Sequence, residues 1–142
     1  MQEKVQASEL TEAEILRAPA ADYMNDVQLA FFRARLNAML KELQLNRESA
    51  AADLRSEISE ADPSDRATRE EERTLQLSTR DRERQLAIKI EQALARIDER
   101  TYGYCMESGE PIGIPRLLAR PTAELTIEAQ ERREHHRSMG MK

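Results

Sequence analysis

Glu60-Ala-Asp-Pro-Ser-Asp-Arg-Ala-Thr-Arg69 is the stretch on which the fold turns. It holds the only proline between Pro19 and Pro111, and two long, charged, helix-favouring segments flank it. Asn25 with Gln28 three residues on forms a capping-box signature, so the first helix is expected over Asn25–Glu60. The second is expected over Asp65–Arg100. Apolar residues recur along the first at Leu29, Phe32, Leu36, Met39/Leu40, Leu43, Ala50, Leu54 and Ile58. Along the second the seam is expected at Ile97, Leu94, Ile90, Leu86/Ala87 and then Gln76/Leu75. Steps of three and four residues are coiled-coil spacing.

The two stripes can be checked against each other. In an antiparallel hairpin, facing residues are equidistant from the bend. Leu29 and Ile97, Phe32 and Leu94, Leu36 and Ile90, Met39 and Ala87, Ala50 and Gln76, and Ala51 and Leu75 are all symmetric about Pro63. The proline and the stripes therefore locate the same bend independently. Each arm of about 35 residues would span about 50 Å. The same symmetry sets Leu43 against Glu83 and Asn46 against Arg80, a polar layer suited to fixing register.

Locally, Asp62 can cap the second helix, Pro63 suits its first position, and Asp65 places a negative charge in its first turn. Capping alone accounts for these residues. Two carboxylates at the end of a long hairpin could also be delivered to a remote target, to meet basic side chains or a bound Mg²⁺.

Composition supports a thin core. Of 142 residues, 35% are charged, 39% hydrophobic and 4% aromatic, with no Trp. A net charge of −5 argues against wholesale binding to a nucleic-acid backbone. A single cysteine, Cys105, excludes an intrachain disulfide. The polar start lacks the apolar stretch of a signal peptide, and no run has the length of a membrane span. A cytoplasmic, soluble protein is expected.

Three parts are expected: a mobile or loosely docked N-terminal arm over 1–22, a hairpin over 23–100 with its tip at 61–67, and a small globular root over 101–142. In the root, Tyr102–Cys105 and Ile112–Ile114 are short β-prone runs around a turn, Pro115–Ala119 suits one helical turn, and Glu124–Ser138 suits a helix. Cys105-Met-Glu-Ser108 and Thr126-Ile-Glu-Ala129 have the spacing of two zinc-ligand pairs but only one thiol, so no zinc is expected. No phosphate loop, nucleophile elbow or HExxH motif occurs. Lys89, Arg116, Arg120, Arg132 and Arg133 form a basic set in sequence whose simplest reading is a solvated surface.

Several stretches together carry a resemblance: Tyr23-Met-Asn-Asp-Val-Gln-Leu-Ala30, Asp62-Pro-Ser-Asp-Arg-Ala67, Arg80-Asp-Arg-Glu-Arg84, Tyr102-Gly-Tyr-Cys105, Ile112-Gly-Ile114 and Ala119-Arg-Pro-Thr-Ala-Glu-Leu125. In this ordered series the chain resembles DksA-type transcription factors over roughly Asp22–Arg137. The resemblance implies a mainly α, non-enzymatic regulator of bacterial RNA polymerase whose antiparallel coiled coil enters the secondary channel. The alarmone ppGpp would potentiate it, with no sequence-specific DNA contact and no tightly bound cofactor. It implies tip roles for Asp62, Asp65 and Ala67, a channel-rim contact for Arg82, and ppGpp contacts for Leu86, Lys89 and Arg120. Cys105, Ser108, Thr126 and Ala129 occupy the family's zinc-ligand positions, as in its zinc-free variants. Gln130 replaces a basic ligand residue, with Arg132 and Arg133 nearby as substitutes. A monomer is expected. The alternatives are a Gre-type transcript-cleavage factor and an inert coiled-coil protein; a Gre-type tip would carry an Asp-Glu pair.

Overall fold

The computed structural model describes residues 10–59 and 66–140, with side chains up to Arg55 in the first stretch. The expected bend at Pro63, with Asp62 and Asp65, lies outside the described residues, as does the side chain of Ile58. Helix α1 spans Glu12–Arg17 and is followed by a 3-10 turn at Ala20–Asp22. Helix α2 spans Asp26–Ser59 and α3 spans Arg66–Glu99. Helices α4 and α5 span Ile114–Ala119 and Ile127–Ser138.

Local chemistry sets these limits. The Asn25 side chain accepts from the Gln28 N–H at 2.9 Å, and Gln28 reaches back to the Met24 N–H at 2.9 Å, so α2 starts one residue after its expected cap. At the end of α3, Arg100 turns left-handed (φ 63°), and the N–H of Thr101 donates to the Arg96 carbonyl at 2.9 Å. Thr126 caps α5 by accepting from the Ala129 N–H at 3.2 Å, so this helix begins at Ile127, later than the expected Glu124. Glu124 is used otherwise: its carbonyl accepts from the Met106 N–H at 2.9 Å.

The long helices are antiparallel. Near the start of α2, Arg33 pairs with Asp98, close to the end of α3. Asp26, the first residue of α2, pairs with Arg100 at 2.8 Å. The chain divides into two compact units. The first comprises 1–37 and 90–142; the second comprises 38–89.

The core lies in the first unit. Leu29, Phe32 and Leu36 are buried on α2, and Ile90, Ala93 and Ile97 on α3. Tyr102, Leu117 and Leu125 are fully or nearly fully buried in the same unit. Phe32 packs against the Tyr102 ring at a centroid distance of 5.5 Å. A mobile or loosely docked arm is expected over 1–22, yet Ile15 on α1 is only 1% exposed. Helix α1 packs on α4, and Glu12 pairs with Arg35, whose guanidinium lies 5.2 Å from the Phe31 ring centroid. The Thr11–Glu14 capping box gives α1 its start.

The second unit has no fully buried side chain among its described residues. A two-helix coil offers only a narrow seam, so half-burial is its limit. Half-buried residues are Met39, Leu40, Leu43, Ala51 and Leu54 on α2, with Arg69, Gln76, Arg80, Glu83, Leu86 and Ala87 on α3. Two expected seam residues are displaced: Ala50 is exposed, and Leu75 is 66% exposed. Ala51 and Gln76, which the symmetry about Pro63 also set in the seam, are half-buried. On α3, Arg69, Gln76, Glu83, Ile90 and Ile97 follow one seven-residue repeat, and Leu75 is off it. On α2 the inward face moves from Leu43 to Ala51, a slip natural to a helix that drifts about 20° per seven residues.

The expected β-prone runs do not pair as strands. Among the described residues, Tyr104 and Pro111 make one isolated antiparallel bridge. Gly103 (φ 91°), Gly109 (φ 78°) and Gly113 (φ 103°) interrupt the extended backbone on either side. Gly103 is also sterically required, because an added Cβ would lie 2.6 Å from Met24 Cγ.

Candidate functional site

The two motifs with zinc-ligand spacing come together in the first unit. Residues 105–110 form a tight turn in which the Cys105 N–H donates to the Glu110 carbonyl and the Gly109 N–H to the Cys105 carbonyl, both at 2.8 Å. The Thr126 hydroxyl donates to Cys105 Sγ at 3.8 Å while capping α5 through Ala129. Cys105 is 3% exposed and Ala129 is fully buried. The four positions therefore remain neighbours, joined by hydrogen bonds and packing.

Burial is the largest single influence on the Cys105 thiol and pushes its pKa up. Hydrogen bonds from the Ser108 hydroxyl and from the N–H groups of Thr126, Ser108 and Glu107 together outweigh it, and the value falls to about 6. The folded value lies below the unfolded one, so ionisation favours the fold. That contribution is complete above about pH 9, shrinks as pH falls, and is gone below about pH 6. Cys105→Ala should therefore lower the urea midpoint more at high pH than near about pH 5.5. Equal losses at both would show a thiol that stays protonated.

The other candidate residues are distributed over both units. Asp62 and Asp65 lie outside the described residues, and Ala67, in the first turn of α3, is exposed. In the second unit, Arg82 and Lys89 are exposed and Leu86 is half-buried. Leu86 and Lys89 are three residues apart and so share one face of α3. Arg120, in the first unit, follows the last turn of α4 and is exposed.

The remaining basic residues differ in what they do. Arg116 Nε donates to the Leu125 carbonyl at 2.9 Å, which makes it a loop brace. Arg133 pairs with Glu107 at 2.5 Å and joins α5 to the Cys105 turn. Arg132 lines a shallow depression with Glu128, Glu131, His135 and His136. Gln130 donates to Glu134 at 3.0 Å along α5. Sequence reasoning missed Arg96, whose side chain is 12% exposed and whose Nη1 lies 3.8 Å from Glu124. The available signal was a cation set between Leu94 and Ile97 in an apolar stripe.

Comparison with known proteins accounts for this arrangement. The family described as "DnaK suppressor protein DksA, N-terminal domain" matches residues 28–97. The family described as "Prokaryotic dksA/traR C4-type zinc finger" matches residues 100–135. A Caulobacter vibrioides protein named RNA polymerase-binding transcription factor DksA is 49% identical over 113 residues, covering 79% of this chain and 80% of that protein. The chain belongs to the DksA family.

The Escherichia coli K12 DksA is 43% identical over 113 residues, covering 79% of this chain and 75% of its own. The solved structure of DksA2 from Pseudomonas aeruginosa superposes with a TM-score of 0.82 at 45% identity, covering 90% of this chain and 99% of that one. Both the expected mainly α fold and its antiparallel coiled coil are thus shown. The zinc-finger match makes zinc the group to test against the DksA-type root. One thiol, two hydroxyls and the methyl group of Ala129 do not make a tetrahedral zinc site. Thr126 already spends its hydroxyl on Cys105 and the α5 cap. Among the described residues, no group of three or more His, Cys, Asp or Glu could hold a metal ion.

Proposed function

We propose that this chain is a regulator of transcription that binds bacterial RNA polymerase, acting by contact and not by catalysis. What carries the reading is the family match across both the coil and the root, with relatives named as RNA polymerase-binding transcription factors. The hairpin over 23–100 enters the secondary channel and alters the stability of promoter complexes. Asp62, Asp65 and Ala67 act at its tip and Arg82 at the channel rim. The polymerase supplies the DNA contacts, so this chain needs no sequence-specific surface of its own, in keeping with its net charge of −5.

In this reading ppGpp is the co-regulator. Lys89 and Arg120 offer charge to its phosphates and Leu86 an apolar wall. The protein works as a cytoplasmic monomer, and its 101–142 root folds without zinc. In place of metal bonds, the Thr126–Cys105 contact and the Glu107–Arg133 pair join its two halves. No described helix is long and apolar enough to cross a membrane.

Transcription from a ribosomal RNA promoter with purified polymerase tests the proposal. Adding the protein should reduce product, and ppGpp should deepen the reduction. Stimulated transcript cleavage would favour the Gre-type alternative, and no effect of either kind would favour an inert coil. Elemental analysis of the same preparation should find no stoichiometric zinc; one tightly held zinc per chain would overturn the metal-free root.

A further inference from the structure

Helix α4 is too short to hold its own orientation, and two tyrosine hydroxyls anchor its ends. Before it, Tyr23 Oη donates to the Gly103 carbonyl at 2.6 Å and accepts from the Gly113 N–H at 2.9 Å. Gly113 is the N-cap of α4. Beyond it, Tyr102 Oη donates to the Pro121 carbonyl at 2.7 Å. Both rings are fixed: Tyr23 stands edge-on to Tyr104 at 5.6 Å, and Tyr102 tilts against Phe32 at 5.5 Å. Burial raises both phenol pKa values, so each hydroxyl keeps the proton it donates.

Arg120 lies between these anchors. Its N–H closes the last turn of α4 on the Arg116 carbonyl at 2.8 Å, and Pro121 follows it directly. Its side chain is exposed, and among the described residues no carboxylate pairs with it. The backbone at Arg120 therefore sets the point from which its guanidinium reaches into solvent. Bidentate phosphate recognition depends on that point, since the planar donors must meet two oxygens together.

We propose that Tyr23 is a positioning residue for Arg120, its hydroxyl fixing the start of α4 and thereby directing the guanidinium at a phosphorylated ligand. The proposal rests on the reading of Arg120 as a ppGpp contact. It gives Tyr23 a part in ligand response although the residue lies nearly a hundred positions away in sequence. The opposite anchor, Tyr102, serves the same segment from the core side.

Tyr23→Phe keeps the ring and its contact with Tyr104 and removes only the hydroxyl. Titrating ppGpp in promoter transcription should show a half-maximal concentration raised about fivefold, the equivalent of one lost hydrogen bond, with ppGpp-free regulation unchanged. A merely structural role would weaken both effects together, and that result, or a titration identical to wild type, would overturn the proposal. Tyr102→Phe severs the far anchor and should give the same split; if Tyr23→Phe does not fold, this variant decides, and an unshifted titration rejects anchoring of Arg120 by hydroxyls. Arg120→Ala is measured in parallel. If it leaves the ppGpp response intact, the ligand reading itself fails. If it abolishes the response while Tyr23→Phe titrates normally, only the positioning role fails.

Discussion

Asp65→Asn should abolish promoter regulation while leaving competition for polymerase nearly intact. The amide is almost isosteric with the carboxylate, so the change removes charge without shape. Removing one carboxylate charge near a helix start costs at most about 0.3–1 kcal/mol, too little to unfold a long hairpin. Binding energy, in the proposed mode, is spread along the charged faces of α2 and α3, where Arg82, Arg84 and Lys89 are exposed. In that mode the tip would contribute little to affinity and most of the effect, because a carboxylate near an active site can act on a metal ion or a basic side chain and an amide acts far more weakly. The measurement is paired: displacement of labelled wild-type protein from polymerase, and product from a ribosomal RNA promoter. Full regulation by the mutant would remove Asp65 from the mechanism. Loss of both readouts would make the tip a binding element instead.

Phe32→Ala should cost about 3–5 kcal/mol of stability, the largest effect expected of any single substitution outside the tip. Phe32 is 0% exposed and touches both Tyr102 and its neighbour Phe31, whose ring centroid is 5.1 Å away. It joins the start of α2 to the segment carrying Cys105. A small domain has about 5–15 kcal/mol in total, so the loss removes a large fraction of its stability. Urea unfolding followed by circular dichroism measures it. Leu75→Ala is the control: with Leu75 66% exposed, its stability should change by less than about 0.5 kcal/mol. Similar losses for the two would place Leu75 back in the seam.

These two residues also show where sequence reasoning succeeded and where it slipped. Leu29, Phe32, Leu36, Ile90 and Ile97 were legible as core because large apolar groups at steps of three and four leave one helical face no alternative. At Gln76/Leu75 the sequence left two adjacent residues for the seam, and it is the apolar one that is exposed. Only the seven-residue repeat through Glu83 and Arg69 puts Gln76 inward. In a seam this narrow, backbone phase outranks side-chain preference.

The N-terminal segment shows the converse limit. Thr11–Glu14 is a capping box in sequence, but nothing local to it signals the packing of α1 on α4. The helix it packs on, α4, lies nearly a hundred residues away. The Cys105 site was half legible. Spacing identified its four positions, but not that Thr126 would hold both the Cys105 sulfur and the α5 N-terminus. Hydroxyl contacts carry no periodic signal. The paired roles of Tyr23 and Tyr102 were invisible for the same reason.

By itself, then, the sequence determined the two long helices and their antiparallel pairing, because helical periodicity acts on neighbouring residues. It also determined that the root lacks a full set of zinc ligands, since that follows from residue identity alone. The tertiary structure decided which of two adjacent residues faces the seam, that α1 packs on α4, and which hydroxyls hold Cys105, Gly113 and Pro121. Those choices depend on distances of about 3 Å between groups far apart in the chain, and such distances exist only once the chain has folded.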